Sequence, residues 1–235
     1  MNEKELRSMM PNKLKTYLGC KEGSSQHLDI VNTYNSIRPL PQNYKLRTTD
    51  SWCAATVSAM AAKCGFLDIV PAECSCPRQI GLWQKMGRWV ENDAYVPKVG
   101  DIIYYDWDDS GSGDNKGTAD HVGIVCSVDG NSFRVIEGNK SDTVAYRDMK
   151  VNGKGIRGFG IPDYAKKATK VEEDDDMPRY QTIKDVPETY RAQVQDYIDR
   201  GIIKGKGNGI LDLSEDLIRA TIYNERMIKE MTKKK

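Results

Sequence analysis

The spacing of hydrophobic positions changes near residue 99, from helix-like before it to strand-like after it. Residues 4–18 have apolar positions at helical spacing, and Pro11 is expected to break or restart that helix. Ser24 or Ser25 is placed to cap a second helix. The first part of the chain is therefore predicted to be mainly helical.

Two further helices are predicted after a loop. Residues 36–50 contain two prolines followed by polar turn formers, a composition typical of loops. The alanine-rich run CAATVSAMAAKCG, from Cys53 to Gly65, predicts a buried helix that ends at its glycine. Pro77 is placed to open another helix. Its apolar face would carry Ile80, Trp83 and Val90.

Short strand-like runs follow, separated by turns of glycine, serine and aspartate. Asp129-Gly130 predicts a tight turn, and residues 108–118 predict a long loop. Helices that precede a run of short strands are typical of an α+β fold with an antiparallel sheet. The predicted strands are Asp101–Trp107, His121–Val128, Ser132–Glu137, Thr143–Arg147 and Ile156–Ile161.

A charged segment divides the chain. Residues 166–179 (KKATKVEEDDDMPR) have one valine and one methionine among many charges, which is typical of a linker. Residues 1–165 are long enough for one domain of ordinary size. Residues 180–235 predict a small helical module, with its helical unit over 180–228. So small a core is marginal, and we expect it to pack on the first domain, on a second copy or on a ligand.

Charge and hydropathy limit the partners and the location. The formal net charge is +1, so no strong positive field favours nucleic acid. No apolar run approaches the roughly 20 residues that span a bilayer. The N-terminal MNEKELRSMMPNKLK lacks the apolar core of a signal peptide. We therefore expect synthesis in the cytoplasm and, for action outside the cell, release by another route.

The six cysteines are not spaced like a disulfide scaffold. Cys74-Ser-Cys76 resembles half of a zinc knuckle, but zinc ligands usually have two residues between them and no second pair follows. Cys64 and Cys126 lie in apolar helix and strand contexts and are expected to be buried packing residues. We therefore expect ordinary thiols, with no metal and no cofactor.

Cys53 is the cysteine best placed to act as a nucleophile. It begins the alanine-rich helix, where unpaired N–H groups and the helix dipole favour a thiolate over a thiol. Asp50 or Ser51 is expected to cap this helix, and the backbone N–H of Cys53 could help to hold an oxyanion. Trp52 is expected to wall one side of the cleft and to exclude water.

A base and an orienting group follow from the predicted strands. Of the two histidines, His121 is favoured over His27 as the base because it begins a strand that enters the core. The next strand returns antiparallel, and Glu137 and Asn139 would point the same way beside the imidazole. Either could accept from its N–H; we favour Glu137, with Asn139 assisting. Asp120 should face the opposite side of the strand.

Each of these residues taken alone is more often structural, since a cysteine in an alanine-rich helix is usually part of a core. The combination of thiol, imidazole and carboxylate instead favours a cysteine hydrolase. For substrate contact we assign Trp52, Trp107 and Asp120. The loop over residues 108–118 is a candidate rim of the cleft.

Five blocks of sequence resemble, in family order, the CHAP-type amidase/peptidase domains. These are relatives of the NlpC-type peptidases within the papain-like group. The blocks span about one domain, roughly residues 20–165. They are SWCAA from Ser51, PKVGDIIYY from Pro97, DHVGIV from Asp120, IEGN from Ile136 and IRGFGIP from Ile156.

The resemblance implies a papain-like cysteine hydrolase of bacterial cell-wall peptides or of the muramoyl–alanine amide. It implies Cys53 as nucleophile and His121 as base, with Glu137 and Asn139 as orienting groups. Some family members bind calcium through closely spaced aspartates before the cysteine. Here residues 43–50 carry one carboxylate and two cations, so no calcium is expected.

The tail resembles a single S-layer homology repeat, a module that holds bacterial wall polymers. The blocks are IKDVP from Ile183, GIIKG from Gly201 and IRA from Ile218. Where the family's sugar-binding motif reads Thr-Arg-Ala-Glu, this chain reads Ile-Arg-Ala-Thr, without that hydroxyl and carboxylate. Binding of a secondary wall polymer and dimerisation both stay open for this module.

The sequence thus predicts a peptidoglycan hydrolase that resembles a phage endolysin and acts on the bacterial cell wall. Whether it is an N-acetylmuramoyl-L-alanine amidase or an endopeptidase depends on the shape of a pocket set by residues around Trp83, Trp89 and Trp107, which spacing does not reveal. Two alternatives are a non-catalytic wall-binding protein on a degenerate hydrolase fold and a cytosolic thiol peptidase.

Overall fold

The chain forms two compact units, Met1–Thr169 and Lys170–Lys235. The boundary falls within the charged segment predicted to be a linker, whose residues 170–178 lie outside the described residues. The computed structural model describes residues 1–108, 117–169, 179–207 and 210–233.

Four α-helices precede the sheet within the fully described residues 1–88. They are α1 (Glu3–Lys15), α2 (Ser25–Ser36), α3 (Cys53–Cys64) and α4 (Cys76–Lys85). Ser24 caps α2 by accepting a hydrogen bond from the backbone N–H of His27. Gly65 ends α3 in the left-handed conformation, with φ of 72°, which a glycine adopts without steric cost. Both predicted helix boundaries are confirmed.

The expected break at Pro11 does not occur, and α1 continues through it. An internal proline costs roughly 3 kcal/mol because it removes one backbone hydrogen bond and crowds the preceding turn. Leu6, Met10 and Leu14 form a stripe that is buried in the core. Burial of each such side chain contributes about 1.5–3 kcal/mol, so together the three outweigh the proline.

Within the described part of the chain, six antiparallel strands form one sheet in the order β1-β6-β2-β3-β4-β5. The strands are β1 (Trp89–Val90), β2 (Ile102–Tyr105), β3 (His121–Asp129), β4 (Ser132–Glu137), β5 (Ala145–Lys150) and β6 (Ile156–Gly160). Val90 was expected on the helix opened at Pro77 and lies instead in β1. The reason is that α4 ends at Lys85, and Gly87, with φ of 64°, turns the chain into the edge strand.

Helix α3 is the centre of the first unit. Its residues 53–61 are all buried, and it packs against β3 on one side and against α1 and α2 on others. The short α5 (Tyr164–Lys167) closes the unit against α1. The predicted α+β fold, with helices packed on an antiparallel sheet, is therefore confirmed.

In the second unit, α6 (Glu188–Asp199) and α7 (Glu215–Lys233) enclose a small apolar core. Tyr180 and Leu213 pair as a short antiparallel bridge beside it. Among the helices that the structure describes, none combines the length and the apolar character needed to cross a membrane.

Candidate active site

The thiol of Cys53 lies at the start of α3, where the first backbone N–H groups have no partner within the helix. The N-cap residue is Trp52, and no described side chain caps the helix. The backbone N–H of Ala54 acts to lower the pKa of the Cys53 thiol. The helix dipole acts in the same direction and favours the thiolate.

The expected cap by Asp50 or Ser51 is wrong. The Asp50 carboxylate accepts a hydrogen bond from the Arg47 backbone N–H at 2.8 Å and another from the Tyr44 hydroxyl at 2.7 Å. It also pairs with the Arg47 guanidinium at 2.8 Å. These contacts close the loop before α3 and hold the Asp50 carboxylate in that loop instead of at the helix start.

His121 is the first residue of β3 and is placed by the sheet register opposite Tyr105 of β2. Its ring is largely buried, and its Nε2 lies 3.1 Å from Oε2 of Glu137. Because Glu137 occupies Nε2, Nδ1 is the nitrogen left to face the Cys53 thiol, which acts to raise the pKa of the imidazole. The structure thus brings the three predicted side chains together.

Glu137 is fully buried at the end of β4, and a second residue holds its carboxylate. The Arg147 Nε donates to Oε1 at 2.7 Å, and the Arg147 Nη2 donates to Oε2 at 3.0 Å. Glu137 lies opposite Ala145 of β5, so Arg147, two residues along the same face, reaches it diagonally. A buried carboxylate is tolerated when its oxygens are paired in this way. Sequence reasoning missed Arg147.

Two glycines make room for this arrangement. A Cβ at Gly123 would lie 2.5 Å from Val135 Cγ1 and 2.7 Å from Glu137 Cγ, so the glycine leaves space for the carboxylate side chain. A Cβ at Gly138 would lie 2.2 Å from Oγ1 of Thr56. The end of β4 can therefore lie directly against the first turn of α3.

Charges in the site favour an ion pair between the thiol and the imidazole. The hydrogen bond with Cys76 and then the contacts with His121 hold the pKa of Cys53 well below its usual value, against the effect of burial. Burial acts to lower the pKa of His121, but the contacts with Cys53 and Glu137 outweigh it and raise the pKa to about 9. Both shifts favour the thiolate–imidazolium form of the pair, in which a cysteine is most nucleophilic.

The carboxylate side of the site is also ionised. Burial acts to raise the pKa of Glu137, but hydrogen bonds from His121 and Arg147 outweigh it, and this pKa lies below its usual value. The negative charge therefore persists beside the imidazolium and stabilises it.

Cys76 is a further residue of the site that sequence reasoning did not assign. It begins α4, and its Sγ lies 3.8 Å from Sγ of Cys53. Because Cys53 is a thiolate, Cys76 is the donor in this contact. The neighbouring anion and burial raise the pKa of Cys76 well above its usual value. The helix start at Pro77 was visible in the sequence, but its meeting with the start of α3 was not.

Trp52 does not line the cleft, so its assignment to substrate contact is wrong. Its side chain is fully buried, its Nε1 donates to Oε2 of Glu22 at 3.1 Å, and its ring packs on His27 with centroids 4.8 Å apart. The large indole fills the space between α3 and α2 and cannot reach a substrate. His27 is equally buried, and its Nδ1 accepts from the Gly23 backbone N–H at 3.0 Å.

The strand alternation that placed Asn139 beside the imidazole does not extend to it, because β4 ends at Glu137 and Asn139 has a left-handed backbone with φ of 59°. Asn139 instead borders a surface pocket that opens beside His121. The other residues lining this pocket are Trp107, Lys140, Ser141 and Arg147.

Trp107 forms the outer wall of that pocket, and 44% of its surface is exposed. Its ring stacks on Tyr105 at 4.7 Å between centroids, and the Arg147 guanidinium lies 4.6 Å from its centre. The exposed carboxylate of Asp120 accepts the Trp107 backbone N–H at 2.9 Å. Asp120 therefore holds the backbone of Trp107 in place. Residues 109–116 of the predicted cleft rim lie outside the described residues.

No group of three or more histidine, cysteine, aspartate and glutamate side chains among the described residues could hold a metal ion. The carboxylate of Asp50, in the stretch where some CHAP-type domains carry calcium ligands, is engaged by Arg47 and Tyr44.

An antiparallel sheet, a buried helix that begins with a cysteine and a histidine at the start of a strand define a papain-like cysteine hydrolase fold. Residues 43–139 match the CHAP domain family, and this stretch contains Cys53, His121 and Glu137. This match supports an activity of the cysteine hydrolase class, namely that of a peptidoglycan-related amidase or peptidase.

None of the curated proteins matches the chain. A solved structure described as "The crystal structure of Ly7917" aligns with 16% identity and a TM-score of 0.30. That alignment covers 58% of this chain and 61% of the other.

Proposed function

We propose that this protein hydrolyses an amide bond of bacterial peptidoglycan, with Cys53 as nucleophile and His121 as base. The contact that carries the proposal is the buried Nε2–Oε2 hydrogen bond of 3.1 Å between His121 and Glu137, on the side of the imidazole away from the thiol. A carboxylate in that place orients the ring and stabilises its charged form.

The chemistry follows from these positions. The Cys53 thiolate attacks the amide carbonyl, and the N–H groups at the start of α3 stabilise the tetrahedral oxyanion. The His121 imidazolium then donates its proton to the leaving amine as the C–N bond breaks. The neutral imidazole takes a proton from water, the resulting hydroxide attacks the thioester, and Cys53 departs as a thiolate.

The pocket beside His121 is proposed to receive the wall peptide. Trp107 presents exposed aromatic surface, and Lys140 and Asn139 also line the pocket. In this arrangement Asp120 contributes by holding the backbone of Trp107. Asn139 is proposed to bind substrate, and Glu137 alone to orient the imidazole.

For the second unit we propose an endolysin-like role, holding a secondary wall polymer through residues 180–228. In the segment that replaces the family's sugar-binding motif, Ile218 is part of the core and Arg219 pairs with Glu215 at 2.5 Å. An exposed Tyr223 and Met227 on α7 make dimerisation the competing role. Pull-down on purified walls and light scattering of the full chain separate the two.

Clearance of a suspension of purified cell walls tests the hydrolase proposal. The wild type should clear the suspension and Cys53→Ala should not, whereas Cys126→Ser, a thiol variant on the sheet, should behave as wild type. Equal turbidity with wild type and Cys53→Ala would leave only wall binding. Cleavage of casein-like substrates with intact walls would indicate a thiol peptidase of other peptides.

Mass spectrometry of the soluble fragments identifies the bond. Stem peptides freed from muramic acid mean an amidase, and divided stems or cross-bridges mean an endopeptidase.

A further inference from the structure

Two thiols meet at the site, and the proposed hydrolysis needs only one of them. Cys53 and Cys76 each begin a helix, both are buried, and their sulfur atoms are 3.8 Å apart. A disulfide bond is about 2.05 Å long. Formation of the bond therefore requires the two side chains to rotate so that their sulfur atoms approach each other.

The two sulfur atoms have different environments. Cys76, His121 and the Ala54 backbone N–H together hold the pKa of Cys53 well below its usual value, so the Cys53 sulfur is the one favoured as the anion. The Cys76 sulfur stays protonated because that anion is next to it. Peroxides oxidise thiolates and not thiols, so Cys53 reacts first and Cys76 is placed to respond.

We propose that Cys76 is a resolving cysteine, which forms a reversible disulfide with Cys53 when the protein meets hydrogen peroxide. This inference rests on the proposed function in one respect, namely that Cys53 is the reactive thiolate. The disulfide stores the nucleophile in an inactive form that a dithiol reductant restores. Without Cys76, the oxidised sulfur of Cys53 would proceed to the irreversible sulfinic acid.

The steps balance with hydrogen peroxide as the oxidant. The Cys53 thiolate attacks one peroxide oxygen, the O–O bond breaks, and the departing hydroxide takes the His121 proton to become water. Cys53 is then a neutral sulfenic acid, so the charge that kept Cys76 protonated is gone. The Cys76 sulfur attacks the Cys53 sulfur, the S–O bond breaks, and the released hydroxide leaves with the Cys76 proton as a second water.

Cys74 supplies a matched control from the same segment. Its sulfur lies 3.6 Å from Oε1 of Glu73, and burial raises its pKa. It is therefore a poor thiolate. Cys74→Ser and Cys76→Ser remove one thiol each, two residues apart, and should differ sharply in the response to oxidation.

The experiment treats the full chain with hydrogen peroxide, blocks free thiols, and maps peptides by mass spectrometry before and after dithiothreitol. Wild type and Cys74→Ser should show a reducible link between the peptides that contain Cys53 and Cys76. Both should regain wall clearance on reduction, about tenfold more than Cys76→Ser, in which Cys53 should be found as sulfinic acid.

Mass spectrometry detects the link between Cys53 and Cys76 whether or not the protein clears walls. The two proposals can therefore fail separately. A Cys53–Cys76 link in a chain that never clears walls would overturn the hydrolase proposal and support this one. Wall clearance with no such link, or equal recovery in Cys76→Ser and wild type, would overturn the resolving role of Cys76.

Discussion

Replacement of Arg147 by alanine should destabilise the first unit by about 3 kcal/mol. The carboxylate of Glu137 is fully buried, and Arg147 donates hydrogen bonds to both of its oxygens, at 2.7 and 3.0 Å. Removal of one partner from a buried ion pair costs about 3–5 kcal/mol. The Arg147 side chain is 27% exposed, so water can enter the vacated space, and the lower end of that range applies.

Two further variants separate charge from packing. Arg147→Lys keeps the charge but replaces the two-pronged contact by one, and should cost about 1–2 kcal/mol. In a Glu137→Gln background Arg147 no longer has a buried carboxylate to pair with. There Arg147→Ala should cost only about 1 kcal/mol, mainly the lost contact with the ring of Trp107.

Urea unfolding followed by tryptophan fluorescence measures these free energies of unfolding. The signal reports on the first unit alone, because it contains all four tryptophans: Trp52, Trp83, Trp89 and Trp107. The double-mutant cycle should give a coupling energy of about 2 kcal/mol between Arg147 and Glu137. If Arg147→Ala costs as much with Gln at position 137 as with Glu, the guanidinium does not act through the carboxylate and the reasoning is refuted.

Three further outcomes can be checked. Iodoacetamide should alkylate Cys53 readily at mildly acidic pH and Cys126 only slowly, because burial raises the pKa of Cys126 while that of Cys53 is lowered; equal rates would exclude a thiolate. Wall clearance should be sustained at neutral pH and fall as the pH rises through about 9, the pKa of His121, because the leaving amine needs that proton; an unchanged rate well above pH 9 would contradict this. Gly123→Ala should destabilise the first unit by about 1–3 kcal/mol and slow hydrolysis, because its Cβ meets two side chains of β4. Gly81→Ala, in α4 with no atom near its Cβ, should instead stabilise it by about 0.5–1 kcal/mol, and the same sign for both would be inconsistent with the packing described.

Patterns within single segments of the sequence predicted most of the fold. β4 covers Ser132–Glu137 as the alternation predicted, and α3 ends at Gly65 as its glycine predicted. The tight turn between β3 and β4 also placed Glu137 beside His121, because an antiparallel hairpin fixes which residues face each other. These features depend on neighbours in the chain, which a single sequence displays.

Contacts between distant elements were not predictable in this way. Arg147 reaches Glu137 diagonally across a strand pair, and Cys76 meets Cys53 only because two helix starts converge in space. Asp50 shows a different limit, since it can cap a helix or close a turn, and Arg47 favours the turn. No pattern within a single segment distinguishes these outcomes.

The hairpin of β3 and β4 has a consequence for how the protein acquires its reactivity. The imidazole and its carboxylate are joined by a short stretch of chain and can meet early in folding, whereas the sulfur belongs to a helix far earlier in the chain. In a partly folded molecule the thiol of Cys53 therefore reacts as slowly as an ordinary cysteine. Pulses of iodoacetamide during refolding should label Cys53 quickly only after α3 has docked. The thiol therefore becomes reactive only once the first unit has folded.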